Sequence, residues 1–254
     1  MVFLDLRSVG EKNWPRSNMA LSQLAMLRDR FSCFQKPLRI SPSVHFFSGG
    51  ISADRDGKTE ILGLYAAGEV MGGVHGANRL GGNALSETLV FGYRAGTACA
   101  EWALAGNNPG ESSSLILAHW NAFLRRWKSN GKGFTPRGIR KRTGEILWNH
   151  GGVLREEKGL QAGLEEIRRL KSDELPWAAS ESPKEMLEKI EASHALAAAE
   201  MILRSALLRQ ESRGAHFRKD YPYMDDRKWK GNIFLKKSKE GMSLSFQALP
   251  GKTS

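Results

Sequence analysis

The side chains best suited to chemistry fall within Gly63–Leu85, where Glu69, His75 and Arg79 stand among seven glycines. A guanidinium such as Arg79 offers a planar fork that matches a carboxylate in two hydrogen bonds. Its alternative is a surface arginine paired with a nearby acid. Glu69, placed directly after an apolar run, is suited to a ribose or ribityl hydroxyl. Glycines let backbone approach a ligand closely, and a helix starting after Gly82 would offer free N–H groups and a positive dipole. On pattern alone two readings stay open, a nucleotide-cofactor site or a tight structural loop, because the spacing is not GxGxxG. A further candidate is His45, in an apolar run before Gly49-Gly50. It reads either as a satisfied core histidine or as a ligand-binding one.

Several elements must position these residues. Val44–Phe47 predicts a buried strand, Asp54-Arg55-Asp56-Gly57 a tight turn, and Ile61–Ala67 a second apolar strand. The glycine-rich loop runs from Gly68 to Gly82. A helix follows over about 84–105, apolar nearly all round, which predicts a buried helix. Upstream, residues 2–6 predict a short strand and 20–34 a helix, with Trp14-Pro15 between them. Downstream, helical patterns cover 112–127, 135–148 and 154–170. Ser182-Pro183-Lys184-Glu185 is a capping box opening a long helix to about Arg209. Three antiparallel helices are the natural arrangement. Asn107–Gly110 reads as a linker turn, and 211–237 as a charged, aromatic-rich loop.

The composition narrows the possibilities. The chain has 254 residues, 41% hydrophobic and 26% charged, which is ordinary for a globular protein. Its formal charge of +11 suits nucleic acid, an anionic membrane surface or a small anion, without choosing among them. The Arg137–Arg142 cluster reads as a solvated helix start; a nucleic-acid patch lacks a supporting helix-turn-helix or aromatic-interleaved sheet. Two cysteines without zinc spacing exclude a disulfide scaffold, and no metal site is expected. No run of about 18 apolar residues predicts a membrane span. The start, Met-Val-Phe-Leu-Asp, is not a secretory signal.

Four separated pieces carry a more specific signal: Val2–Leu6, Pro42–Gly50, Gly63–Leu85 and Glu211–Pro222. In this order they resemble the succinate dehydrogenase/fumarate reductase flavoprotein family, which includes L-aspartate oxidase. The resemblance covers most of 1–235. It implies an FAD-dependent oxidoreductase moving a hydride between FAD and the CH–CH bond of a dicarboxylate substrate. It implies that His45 and Arg79 bind the substrate carboxylate and that Glu69 contacts the flavin's ribityl chain. Asn83, Ala84 and Leu85 match the segment whose backbone lies along the isoalloxazine. Ala84 stands where succinate dehydrogenases commonly carry serine. Phe46, Phe47 and Ser48 depart from the family pattern, which bears on substrate identity. Glu211, Arg213 and His216 are expected to form a polar network tying the helical domain to the flavin domain.

The family's GxGxxG unit, and most of its capping domain with the proton-delivering arginine, lie upstream of the portion this chain resembles. No residue here is therefore assigned as catalytic. The implied fold is α+β. Residues 1–40 would end the capping domain. Residues 41–108 would form the C-terminal part of the FAD-binding domain, an incomplete sheet plus the buried helix. Residues 109–254 would form a three-helix antiparallel bundle domain with a basic tail. The implied partners are an N-terminal flavoprotein half and an iron–sulfur subunit, with no nucleic acid and no direct membrane insertion. A cytoplasmic place in electron transport, membrane-associated only through partners, is expected, with the chain alone inactive. Two alternatives remain, an L-aspartate oxidase-like flavoprotein and a non-catalytic basic helical module binding an anionic partner. Against the first, the chain after Pro222 is short and basic.

Overall fold

The computed structural model describes residues 2–14, 18–106, 113–129, 131, 133–239 and 241–249. It divides into two units, Met1–Phe47 and Ser48–Ser254.

In the first unit, β1 (Val2–Leu4) pairs antiparallel with β2 (Leu38–Ile40), Val2 opposite Ile40. The helix α1 (Asn18–Phe31) lies between them in sequence. Among the described residues Leu6, Leu24 and Cys33 are buried apolar side chains of this unit. Trp14 meets Phe34 edge-on at 6.2 Å. Pro15 lies outside the described residues. The buried strand expected at 44–47 does not form: residues 41–50 are coil, and Val44 is 84% exposed. A strand needs a neighbour to take its N–H and C=O groups, and the described residues supply none here.

The second unit opens on the expected turn. Oδ1 of Asp54 accepts the backbone N–H groups of Asp56 and Lys58 at 2.8 and 2.9 Å. The Gly57 N–H donates to the Asp54 carbonyl at 3.0 Å, with φ +73° at the glycine. The strand expected over 61–67 is replaced by a second turn. The hydroxyl oxygen of Thr59 accepts the Ile61 N–H at 3.1 Å, and the Leu64 N–H returns to the Ile61 carbonyl at 3.0 Å. These local bonds, with Gly63 at φ +79°, displace the ladder that apolarity alone suggested.

The helix α2 (Asn83–Leu104) follows the glycine loop. It is not the buried helix its composition predicts. Glu87 and Ala95 are its buried residues, whereas Leu85, Leu89 and Tyr93 are each at least 75% exposed. Ala95 packs so closely on the 54–66 turn that a Cβ at Gly57 would lie 2.6 Å from its methyl. The described residues cover one side of a helix that is apolar on several.

The rest of the unit has its own core. The helix α3 (Ser113–Trp127) is followed by α4 (Pro136–His150), α5 (Glu157–Arg169) and α6 (Pro183–Leu208). Thr135 caps α4 through the Gly138 N–H, and the Ser182–Glu185 capping box is complete at α6. Leu160, Leu164 and Ile167 on α5 meet Leu196, Ala199 and Leu203 on α6 and Ile139 and Ile146 on α4 in one buried cluster. Each fully buried Leu or Ile there contributes on the order of 1.5–3 kcal/mol. The 211–237 segment is not all loop. After the short α7 (Asp226–Trp229), β3 (Gly231–Ser238) and β4 (Gly241–Ala248) pair as an antiparallel hairpin. Met242, Leu244 and Phe246 alternate with Ser243, Ser245 and Gln247, a period-two signal beside a lysine-rich strand that masks it. Among the described residues the fold is therefore mixed helix and sheet, with two small two-stranded sheets.

Candidate functional site

The glycine loop contains two kinds of glycine. Near its start, residues 70–72 run beside Gly50–Ile51. The Ile51 N–H donates to the Val70 carbonyl at 2.8 Å, and the Gly72 N–H donates to the Ile51 carbonyl at 3.0 Å. A Cβ on Gly50 would lie 2.3 Å from the Val70 oxygen, and one on Gly72 would lie 2.8 Å from the Gly50 nitrogen. The chain itself requires these glycines. Gly73, Gly76, Gly81 and Gly82 differ: no atom lies within 4 Å of where their Cβ would stand. Positive φ explains Gly73, Gly76 and Gly82. Gly81 has neither positive φ nor a crowding neighbour. The second half of the loop is thus an open rim of bare backbone leading to α2.

At that rim α2 begins on Gly82 without a side-chain cap. The first N–H groups of a helix have no intrahelical partner and carry its positive dipole end. The helix start is fixed from below. Nε2 of His75 lies 2.9 Å from Oε2 of Glu87, the two side chains being 9% and 2% exposed. Oε1 of Glu87 is buried with no hydrogen-bond partner among the described residues. Further along, Arg94 donates to the Arg55 carbonyl at 2.6 Å and to Asp56 at 2.8 Å. The Tyr65 hydroxyl donates to the Ala98 carbonyl at 3.2 Å.

Glu69 is exposed on the single turn Gly68–Val70. Arg79 is half-buried in the loop, its Nη1 3.4 Å from the Leu80 carbonyl. Asn83, Ala84 and Leu85 form the first turn of α2, with Asn83 and Leu85 exposed. One continuous loop and helix of the second unit therefore carries these five residues. His45 is exposed in the first unit. Sequence reasoning overlooked Glu87 as the partner of His75, although a glutamate within the apolar first half of the helix was a usable signal.

The expected network around Glu211, Arg213 and His216 is present and larger than foreseen. Glu211 is fully buried and accepts from Arg209 at 2.6 Å, from Arg213 at 2.8 and 3.0 Å, and from the Asp225 N–H at 2.8 Å. Burial raises its pKa, but these donors outweigh burial and hold it below the usual carboxylate value. Arg155 lies 2.7 Å from Nδ1 of His216, and the Arg209 carbonyl lies 3.3 Å from its Nε2. A guanidinium only donates and a carbonyl only accepts, so the proton sits on Nε2 and the ring is neutral. Burial, then the charge of Arg155, pushes the His216 pKa down to about 4. Arg218 is fully buried, donating to the last carbonyls of α6 and to Asp220, whose pKa its guanidinium lowers to about 2. In the basic cluster on α4, Arg140 pairs with Glu191 and Arg142 with Glu174.

The donor set at the rim fits a flavin. Backbone N–H groups at an uncapped helix start suit a ring that gains negative charge, an exposed carboxylate suits a polyol chain, and Gly73, Gly76, Gly81 and Gly82 leave room. Comparison with known proteins agrees. Residues 23–85 match the FAD binding domain model, and 140–253 match that of the fumarate reductase flavoprotein C-terminus. The chain is 33% identical over 226 residues to the fumarate reductase flavoprotein of Escherichia coli, covering 87% of this chain and 38% of the relative. It is 36% identical over 191 residues to L-aspartate oxidase 2 of Ralstonia nicotianae, covering 74% and 31%. In structure it is similar to the quinol fumarate reductase FrdA of E. coli, with a TM-score of 0.85, 28% identity, and 99% of this chain laid on 45% of the other. The chain thus spans well under half the length of the relatives it matches. Two family models met in chain order, and one fold shared along nearly every residue, establish that the chain belongs to the succinate dehydrogenase/fumarate reductase flavoprotein family, whose cofactor is FAD.

Proposed function

We propose that these 254 residues are the C-terminal part of a dicarboxylate-converting flavoprotein of the succinate/fumarate type. The observation that carries this reading is Arg79 standing within the open glycine rim beside the uncapped start of α2. Glu69 and the backbone of Asn83, Ala84 and Leu85 would hold FAD, which when bound supplies hydride transfer to or from the substrate's CH–CH bond. Arg79 would bind a substrate carboxylate and so orient that bond. A further protein segment would complete the flavin site and cover α2, whose exposed Leu85, Leu89 and Tyr93 support this. The chain alone would then be inactive, and an iron–sulfur partner would exchange electrons with the completed flavoprotein. No helix among the described residues is long and apolar enough to cross a membrane, so membrane association would come through partners.

A second reading, L-aspartate oxidase-like, is supported by the 36% identity to that enzyme from Ralstonia nicotianae. Both readings are tested by supplying the completing segment and measuring reoxidation of reduced flavin by fumarate and flavin reduction by succinate or L-aspartate. Turnover lost in Arg79→Ala supports the carboxylate role, and unchanged turnover sinks it. Strong turnover by the 254-residue chain alone would refute the need for a completing segment.

A further inference from the structure

We propose that the Arg213–His216 turn is a backbone buttress for the glycine loop and that Gly214 is a positioning residue for Arg79. The inference rests on the reading of Arg79 as a carboxylate-binding residue. Gly214 has φ +56°, and a Cβ there would lie 2.3 Å from the carbonyl oxygen of Ala77 and 2.9 Å from its methyl. The next N–H, of Ala215, donates to that same carbonyl at 3.3 Å. The contact is backbone against backbone, two residues before Arg79. Glycine satisfies both demands, the left-handed φ and the missing Cβ.

The turn that makes the contact is itself held firmly. The Arg213 N–H donates to the His216 carbonyl at 2.8 Å, and the His216 N–H returns to the Arg213 carbonyl at 2.9 Å. Arg213 is pinned to Glu211 and, at 2.7 Å, to Asp226. His216 bridges Arg155 and the carbonyl of Arg209 just after α6. Arg218 and Asp220 fasten the following residues to the end of α6 and the start of α5. The loop therefore has a fixed point at His75, through Glu87, and a second at Ala77, through a turn rooted in the three-helix core. Between Ala77 and α2, Gly81 and Gly82 face open space. A substrate-orienting arginine needs placement to about 1 Å, and a glycine-rich strip has little rigidity of its own.

The test uses the whole 254-residue chain for hydrogen–deuterium exchange resolved by peptide, and the same chain with its completing segment supplied for succinate affinity measured by calorimetry. In Gly214→Ala, peptides within 72–82 should exchange about tenfold faster while those of α4, α5 and α6 keep their protection. Succinate should bind about tenfold more weakly than to the wild type. Arg213→Lys adds no bulk, weakens the footing of the turn, and should move the same peptides less. Unchanged exchange across 72–82 in both variants overturns the buttress. Equal loss of protection in the helices and the loop in both variants also overturns it, because the turn would then serve the helical core alone. If the wild type fails to bind succinate, or Arg79→Ala binds it as well as the wild type, the carboxylate reading fails. The exchange pattern still decides the buttress.

Discussion

The α4–α6 core and the α2 region both rest on helices, and α2 is more apolar than α4 or α5, yet it is α2 that stays exposed. In the first, Ile139, Leu160, Ile167, Leu196 and Leu203 have no exposed surface, because each helix finds the stripes of the other two. In the second, a 22-residue helix buries two side chains and leaves its leucines in solvent. The helix starts differ in the same sense. Ser182 and Glu185 cap α6 from within the chain, whereas α2 begins on a glycine with no side-chain cap. A capped, buried helix is finished. An uncapped, apolar and exposed helix leaves a surface open, and the proposed reading gives that surface a flavin and the protein that would enclose it.

Substitutions can break this contrast or sharpen it. The largest loss is expected for Glu211→Ala, which takes the buried carboxylate from the part-buried guanidiniums of Arg209 and Arg213, leaving Arg213 only Asp226, and should cost about 3–5 kcal/mol in urea unfolding. Leu203→Ala in the closed core should cost about 2–5 kcal/mol. Leu89→Ala on α2 should stay within about 0.5 kcal/mol in the same assay. Equal losses for the two leucines would erase the distinction. A Leu89→Ala loss that emerges only when the completing segment is present would strengthen it.

In the completed flavoprotein, Arg79→Ala should lower turnover by on the order of 10²-fold, close to 2.7 kcal/mol of transition-state stabilisation. The His216 effect is a pH dependence. Its folded pKa of about 4 lies below the ordinary histidine value of 6.5, so between these pH values the unfolded chain binds a proton that the folded chain refuses. Stability should be full above about pH 6.5 and fall as the pH drops toward 4. His216→Asn should flatten that slope in urea titrations at about pH 7 and about pH 5, and an unchanged slope would count against the neutral ring. Ser182→Ala should cost about 1 kcal/mol from the lost cap.

How much could be read in advance depended on the range of the interactions involved. Helices α4 to α6 were legible because capping and the helical repeat are local: Thr135, Ser182 and the Leu160–Leu164–Ile167 stripe announce themselves. The strands expected at 44–47 and 61–67 failed because an apolar run does not say whether a partner strand exists. The β3–β4 hairpin was missed because its lysines hid a real alternation. At the candidate site, residue types and order picked out Glu69, Arg79 and the start of α2. The His75–Glu87 pair and the Gly214–Ala77 contact join positions 12 and 137 residues apart, and one sequence carries no signal of such pairing.

By itself, then, the sequence determined the helices, their caps, the tight turn at Asp54 and the glycine-rich loop, since each depends on neighbours within a few residues. The tertiary structure alone decided which glycines are crowded by the chain and which are open. It also decided that α2 lies exposed, that His216 is held neutral between Arg155 and a carbonyl, and that a turn near residue 214 bears on Ala77. Those outcomes depend on what occupies the space beside each residue, and that is set by chain brought back from far away in sequence.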